Sequence, residues 1–197
     1  MPLAANAVID VATVKSMIKL LGIADDTIIE NYINGMSTFF ENYCNTKFID
    51  AAVTDILDGS GTDKLLLENP PARTITEIKF DFDTSAPTLM TVTDFSLNSK
   101  AGILRIKSDS TFTDSCGVFP EGFQNIQVKY TSGYGAAIAN LPDDLKLAAI
   151  LQVEYAYKRD TVDFSVTFDE GAILKVDPKA MGPRVKDMLD AYKRSAF

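Results

Sequence analysis

The stretch IQVKYTSGYGAAIANLPDDLKLAAILQVEYAYKRD, residues 126–160, decides the fold. Ile126, Val128 and Tyr130 alternate with Gln127 and Lys129, the period of a half-buried strand. Gly133 and Gly135 then punctuate a turn. Pro142 suits a first helical turn, where its missing N–H is no loss, and Asp143 and Asp144 complement the positive helix end. The helix that follows is apolar nearly all round. Leu145, Ala148, Ala149, Val153 and Ala156 share one face, and Leu147, Ile150, Leu151 and Tyr155 occupy others. Such a helix needs cover on more than one side, from its own domain and from another copy of the chain. Leu147, Ile150, Leu151 and Tyr155 are therefore the candidate subunit interface.

Upstream, Asp10 is placed to cap a helix carrying Val14, Met17, Ile18 and Leu21, with Gly22 as its stop. Asp25 and Asp26 open a second helix, in which Ile29, Tyr32, Ile33, Met36, Phe39, Phe40 and Tyr43 recur at helical spacing. Gly35 interrupts it and suggests close packing against the first helix. From about residue 52 the pattern changes to strands. Residues 53–57 and 64–67 flank the turn-rich loop 58–63 and read as a hairpin. Further strands are expected at 74–82, where imperfect alternation suggests a bulge or an edge, and at 88–93, 94–97 and 103–107. Residues 108–123 read as a loop.

Downstream, Val162, Phe164, Val166 and Phe168 alternate with polar residues, so 161–175 reads as an extended arm or hairpin. A closing helix carries Val185, Met188, Leu189 and Tyr192 on one face. The domain plan is thus 1–51 helical, 52–123 an inserted β-rich domain, and 124–197 helical with the 161–175 arm and a C-terminal helix. The fold class is α+β: a small α-helical bundle with an inserted antiparallel β-domain.

Composition narrows the chemistry. The 197 residues, 46% hydrophobic and 23% charged, suit a globular domain with a sizeable core. No run is long enough for a membrane span, and MPLAANAVID lacks the charge and apolar core of a secretory signal, so assembly in the cytoplasm is expected. Cys44 and Cys116 show no metal spacing and read as free buried thiols. The chain has no histidine, which removes the commonest general base and metal ligand. The loop 58–63 lacks the Lys-Ser/Thr of a phosphate loop and the distal Glu of a calcium loop, and the glycines at 133 and 135 form no dinucleotide fingerprint. The pairs Asp25/Asp26 and Asp143/Asp144 serve as helix caps, and only a carboxylate-dependent hydrolase built from distant partners stays open as an enzyme reading. No catalytic residue, metal ligand or cofactor-binding residue is assigned.

The net charge of −8 speaks against a protein that grips nucleic-acid phosphates. It is unevenly spread: residues 1–171 carry 13 basic and 24 acidic groups, residues 172–197 carry 6 and 3. A basic end on an acidic body suits docking to an acidic partner, and equally a solvated helix with cations near its C-terminus.

Three segments resemble the head-tail connector (adaptor) proteins of tailed bacteriophages. They are the paired-helix opening VATVKSMIKLLGIADDTIIENYINGMSTFFENYCNTKF, the Tyr-x-x-Gly-Tyr-Gly turn leading through Leu-Pro-Asp-Asp-Leu-Lys to Tyr-Lys-Arg-Asp, and the closing GPRVKDMLDAYKR. Together they cover about half the chain, and the β-rich middle is an insertion that only some members carry. The resemblance implies a structural virion protein of the neck: a ring of about twelve copies under the portal protein, met by a stopper or tail-completion protein and passing DNA without binding it specifically. It implies portal docking by the C-terminal segment, through Arg184, Val185, Lys186, Met188, Leu189, Tyr192, Lys193, Arg194 and Phe197. Another neck or tail-completion protein is the nearest alternative, and a bacterial scaffold module unrelated to virions a further one.

Overall fold

A computed structural model describes residues 2–107, 117–161 and 181–194 of the chain. Among the described residues four α-helices and two antiparallel sheets make an α+β protein. It divides into two compact units, one formed by Met1–Asn45 with Ala137–Arg194, the other centred on Thr46–Ala136. The expected boundaries at 52 and 123 fall inside the first and last strands of the β unit.

In the helical unit, α1 (Val11–Ile18) starts where Asp10 accepts the Thr13 N–H at 2.7 Å. It stops earlier than Gly22. Lys19 takes the left-handed conformation (φ 57°) and returns its N–H to the Lys15 carbonyl, so the turn is closed before glycine is needed. Helix α2 (Asp26–Cys44) buries Ile29, Ile33, Met36, Phe40 and Cys44, the inner side of the aromatic-rich stripe, while Phe39 stays 46% exposed. Gly35 does not serve close packing: a Cβ there would meet nothing within 4 Å. Helix α3 (Asp143–Thr161) packs against α1, α2 and α4 (Pro183–Asp190), and α4 also touches α2. Ala7, Val8 and Ile9 are buried as well, with the Val8 N–H given to Ser37 Oγ of α2 at 3.2 Å. Sequence reading had found no role for that opening segment, because three residues carry no periodicity.

The described residues of the β unit form seven strands: β1 (Ala51–Gly59), β2 (Lys64–Leu66), β3 (Ala72–Phe80), β4 (Thr88–Met90), β5 (Phe95–Asn98), β6 (Ile103–Ile106) and β7 (Gly122–Ser132). One sheet has the order β1-β7-β3-β4 and the other β2-β6-β5. The loop 58–63 is therefore not a hairpin. β1 pairs with β7 and β2 with β6, so the loop carries the chain from one sheet into the other. Gly59 permits this, since a Cβ there would lie 1.6 Å from the Pro120 carbonyl oxygen. The register of β3 on β7 shifts between Ala72 and Thr74 and again between Ile75 and Glu77, bulges that account for its imperfect alternation. The strand expected at 88–93 ends at Met90, and Val92–Asp94 forms a single 3-10 turn. Both sheets feed one core. At its centre Phe80, Phe95 and Phe119 meet with ring centroids 5.8–6.2 Å apart.

Candidate functional site

The described residues expected to assemble the protein lie on α3, on α4 and in the residues just after α4, all in the helical unit. Helix α3 begins at Asp143, not at Pro142. The Pro142 carbonyl accepts the Lys146 N–H at 3.2 Å, so proline stands just ahead of the helix. Asp143 pairs with Lys146 at 2.7 Å, and that bond holds its carboxyl below the usual range. Leu145, Ala148, Ala149 and Val153 are fully buried against the neighbouring helices. Of the proposed interface residues, Ile150 is buried within the chain, whereas Leu147, Leu151 and Tyr155 are half-buried. These three stand four residues apart and form one stripe along the helix. Glu154 and Lys158 pair beside it at 2.6 Å.

Helix α4 uses its apolar face inside its own unit. Val185 and Leu189 are buried, and Met188 and Tyr192 are half-buried. Val185 and Leu189 thus contribute to the helical core of their own chain, and Met188 and Tyr192 are the part of the stripe that stays partly open. Four polar contacts fasten the segment. The Tyr43 hydroxyl donates to Asp190 Oδ1 at 2.5 Å, and the Tyr192 hydroxyl to Asp144 Oδ1 at 2.5 Å. The Arg194 N–H donates to the Cys44 carbonyl at 2.9 Å, and the Cys44 thiol to the Leu189 carbonyl at 3.6 Å. Lys193 Nζ lies 4.9 Å from the centre of the Tyr43 ring. Arg184, Lys186 and Lys193 are exposed and Arg194 is half-buried, so the basic side of the segment is its open side. Phe197, Cys116 and the arm beyond Thr161 lie outside the described residues.

The electrostatics are those of structural ties. Its bond to Asp190 pushes Tyr43 up to about 12, because a nearby carboxylate disfavours phenolate. Burial, reinforced by the charge of Asp190, raises Cys44 to about 11, which keeps it a thiol and a poor nucleophile. The acidic pairs are likewise engaged. Asp25 accepts the Tyr157 hydroxyl at 3.0 Å, and Asp26 pairs with Lys15 at 2.5 Å. Sequence reading missed the buried acid Asp55, on the inward side of β1. Its Oδ2 accepts the Tyr130 hydroxyl at 2.6 Å and the Glu68 N–H at 2.8 Å, and the Asn69 N–H reaches Tyr130 Oη at 2.9 Å. The visible signal was an acid at an apolar position of a period-2 pattern. Among the described residues no acidic or cysteine cluster is arranged to hold a metal ion. No described helix is long and apolar enough to cross a membrane.

The head completion protein family matches residues 7–195. Comparison with curated proteins finds no match. Three solved structures share the fold over 99% of this chain and 93% of theirs. One is from the neck of an empty GTA particle computed with C6 symmetry, at 17% identity and TM-score 0.65. Another is from the virion of a native gene transfer agent (GTA) particle, at 19% and 0.65. The third is from the neck of a native GTA particle computed with C12 symmetry, at 16% and 0.64.

Proposed function

Because the chain belongs to the head completion protein family, we propose that it is a structural neck component of a tailed-phage-like particle, seated between the portal and the tail. The observation that carries the reading is the extent of the family match, residues 7–195, which spans the helical unit and the β insertion together. The likeness to proteins from particle necks computed with C6 and C12 symmetry supports a ring, with about twelve copies as the number that matches a portal. The role is non-enzymatic, in keeping with carboxylates tied to tyrosines, lysines and backbone amides and with a thiol held protonated.

A closed ring joins two different surfaces of each subunit around its axis. The stripe Leu147, Leu151 and Tyr155 of α3 is one such surface, apolar and only half covered, with Ile150 supporting it from within. Portal docking then falls to the exposed cations Arg184, Lys186 and Lys193, with Met188, Tyr192 and Arg194 beside them, and with Phe197, outside the described residues, assigned to the same segment on sequence alone. A stopper or tail-completion protein takes the opposite side. The net charge of −8 on each chain suits a channel wall past which DNA slides without sticking.

Cryo-electron microscopy of purified particles tests the reading. The expected result is density for this chain as a ring in contact with the portal, with peptides of the chain recovered from the particles by mass spectrometry. Intact tailed particles that contain none of it overturn the proposal.

A further inference from the structure

The turn between α1 and α2 displays its apolar side chains. Leu21 is 95% exposed and Ile23 83%, and Met17 before them and Ile28 after them are exposed as well. Of the large apolar side chains exposed among the described residues of the helical unit, only Phe39 lies outside this stretch. A turn that serves only solvent is ordinarily polar, yet from Ser16 to Ala24 the one charge is Lys19. The turn is also held firmly. Lys15 Nζ donates to the Gly22 carbonyl and pairs with Asp26 at 2.5 Å, and the Asp26 N–H donates to the Ile23 carbonyl at 3.3 Å. The Tyr157 hydroxyl of α3 donates to Asp25 Oδ2 at 3.0 Å. Polar groups are engaged within the chain and apolar ones face out, the arrangement of a surface prepared for a protein partner.

We propose that this turn is the second surface of the ring: Met17, Leu21, Ile23 and Ile28 of one copy pack on the α3 stripe Leu147, Leu151 and Tyr155 of the next. This rests on the ring reading above and names the contact that closes it. The occupant follows from three observations. The stripe is apolar and only half covered by its own chain, so it calls for an apolar partner such as the turn supplies. The geometry agrees. Tyr157, which holds the turn, stands two residues beyond Tyr155 and so about 200° further round the helix. Turn and stripe therefore lie on different sides of the helical unit. A ring requires that separation, because a patch that meets its own copy closes into a two-fold pair instead. The charges agree too: the turn brings the exposed Lys19, and Glu154 borders the stripe, a match that would fix the register of the contact.

The test uses the full chain assembled with its portal protein. A photoreactive benzophenone amino acid takes the place of Leu21 or Ile23 in copies of ordinary isotopic mass, which are mixed with heavy-isotope copies and illuminated. Peptide mass spectrometry is expected to find links from the turn of a light copy to residues 147–158 of a heavy one. Leu21→Asp with Ile23→Asp is expected to raise the concentration needed for assembly roughly tenfold or more. The melting temperature of the free chain should not change, because both side chains already stand in solvent. Rings whose links stay within one copy, run to the portal, fall outside α3 or do not form overturn this contact and leave the ring reading intact. So do rings that the paired aspartates leave unaffected, and so does a lowered melting temperature, which would place the turn in the chain's own core. Failure of the unsubstituted chain to form any oligomer with the portal overturns the ring reading and this contact with it.

Discussion

Tyr43 and Asp190, 147 positions apart in sequence, are joined by a 2.5 Å hydrogen bond from the phenol to Oδ1. It ties the end of α2 to the end of α4, and the neighbouring residues of the two helix ends are joined too, the buried Cys44 thiol donating to the Leu189 carbonyl.

The thiol reports on that closure. In the native chain Cys44 is expected to resist a thiol reagent, being buried and raised to about 11. Leu189→Ala is expected to destabilise the protein by about 2–5 kcal/mol and to speed Cys44 labelling, because the cavity opens beside it. Peptide mass spectrometry separates Cys44 from Cys116. Unchanged labelling and melting would show that α4 does not cover the site.

Alkaline pH tests the Tyr43 bond. Tyr43 keeps its proton to about 12 in the folded chain, against an ordinary value of 10. Between those values the unfolded chain has lost a proton that the folded chain retains, so stability is fully present below pH 10 and falls as pH rises through the window. Asp190→Asn is expected to move the Tyr43 phenolate signal, followed by ultraviolet absorbance, back towards 10.

Within the β unit, Tyr130→Phe leaves the buried Asp55 without its closest donor and the Asn69 N–H without its acceptor. A loss of about 1–3 kcal/mol is expected in urea denaturation, the cost of stranding buried polar groups. A smaller loss would mean that water takes over the position.

Gly35→Ala is expected to stabilise the protein by up to about 1 kcal/mol, since the position is helical, exposed and has open space where the methyl would sit. Thermal melting should rise accordingly. A fall in melting temperature would reveal a packing role for the glycine.

Arg184→Glu with Lys186→Glu is expected to leave the melting temperature almost unchanged, because both side chains are exposed, while weakening portal binding most at low salt. Leu151→Asp or Tyr155→Asp is expected to weaken assembly of folded subunits, measured by native mass spectrometry. Undiminished binding in the first pair, or unchanged oligomers in the second, removes the corresponding surface from the proposed function.

The periodic segments were legible in the sequence by itself, because side-chain spacing is a local property. The stripe of α2, the Asp10 cap, the buried side of α3 and the strand beginning before Ile126 all follow from spacings of 3.6 or 2. Family membership was legible too, through the order of three motifs. Pairing was not. That residues 53–57 and 64–67 enter different sheets is decided by β7 and β6, strands brought in from far along the chain. Ala7, Val8 and Ile9 enter the core because α2 offers them a surface, and Asp55 becomes a buried latch because Tyr130 and the Glu68 amide converge on it. The apolar face of α4 could equally have served a partner. Only packing against α2 and α3 decided that Val185 and Leu189 close the chain's own core, leaving the charged side free. An apolar stripe specifies that something must cover it, and the tertiary structure specifies what does.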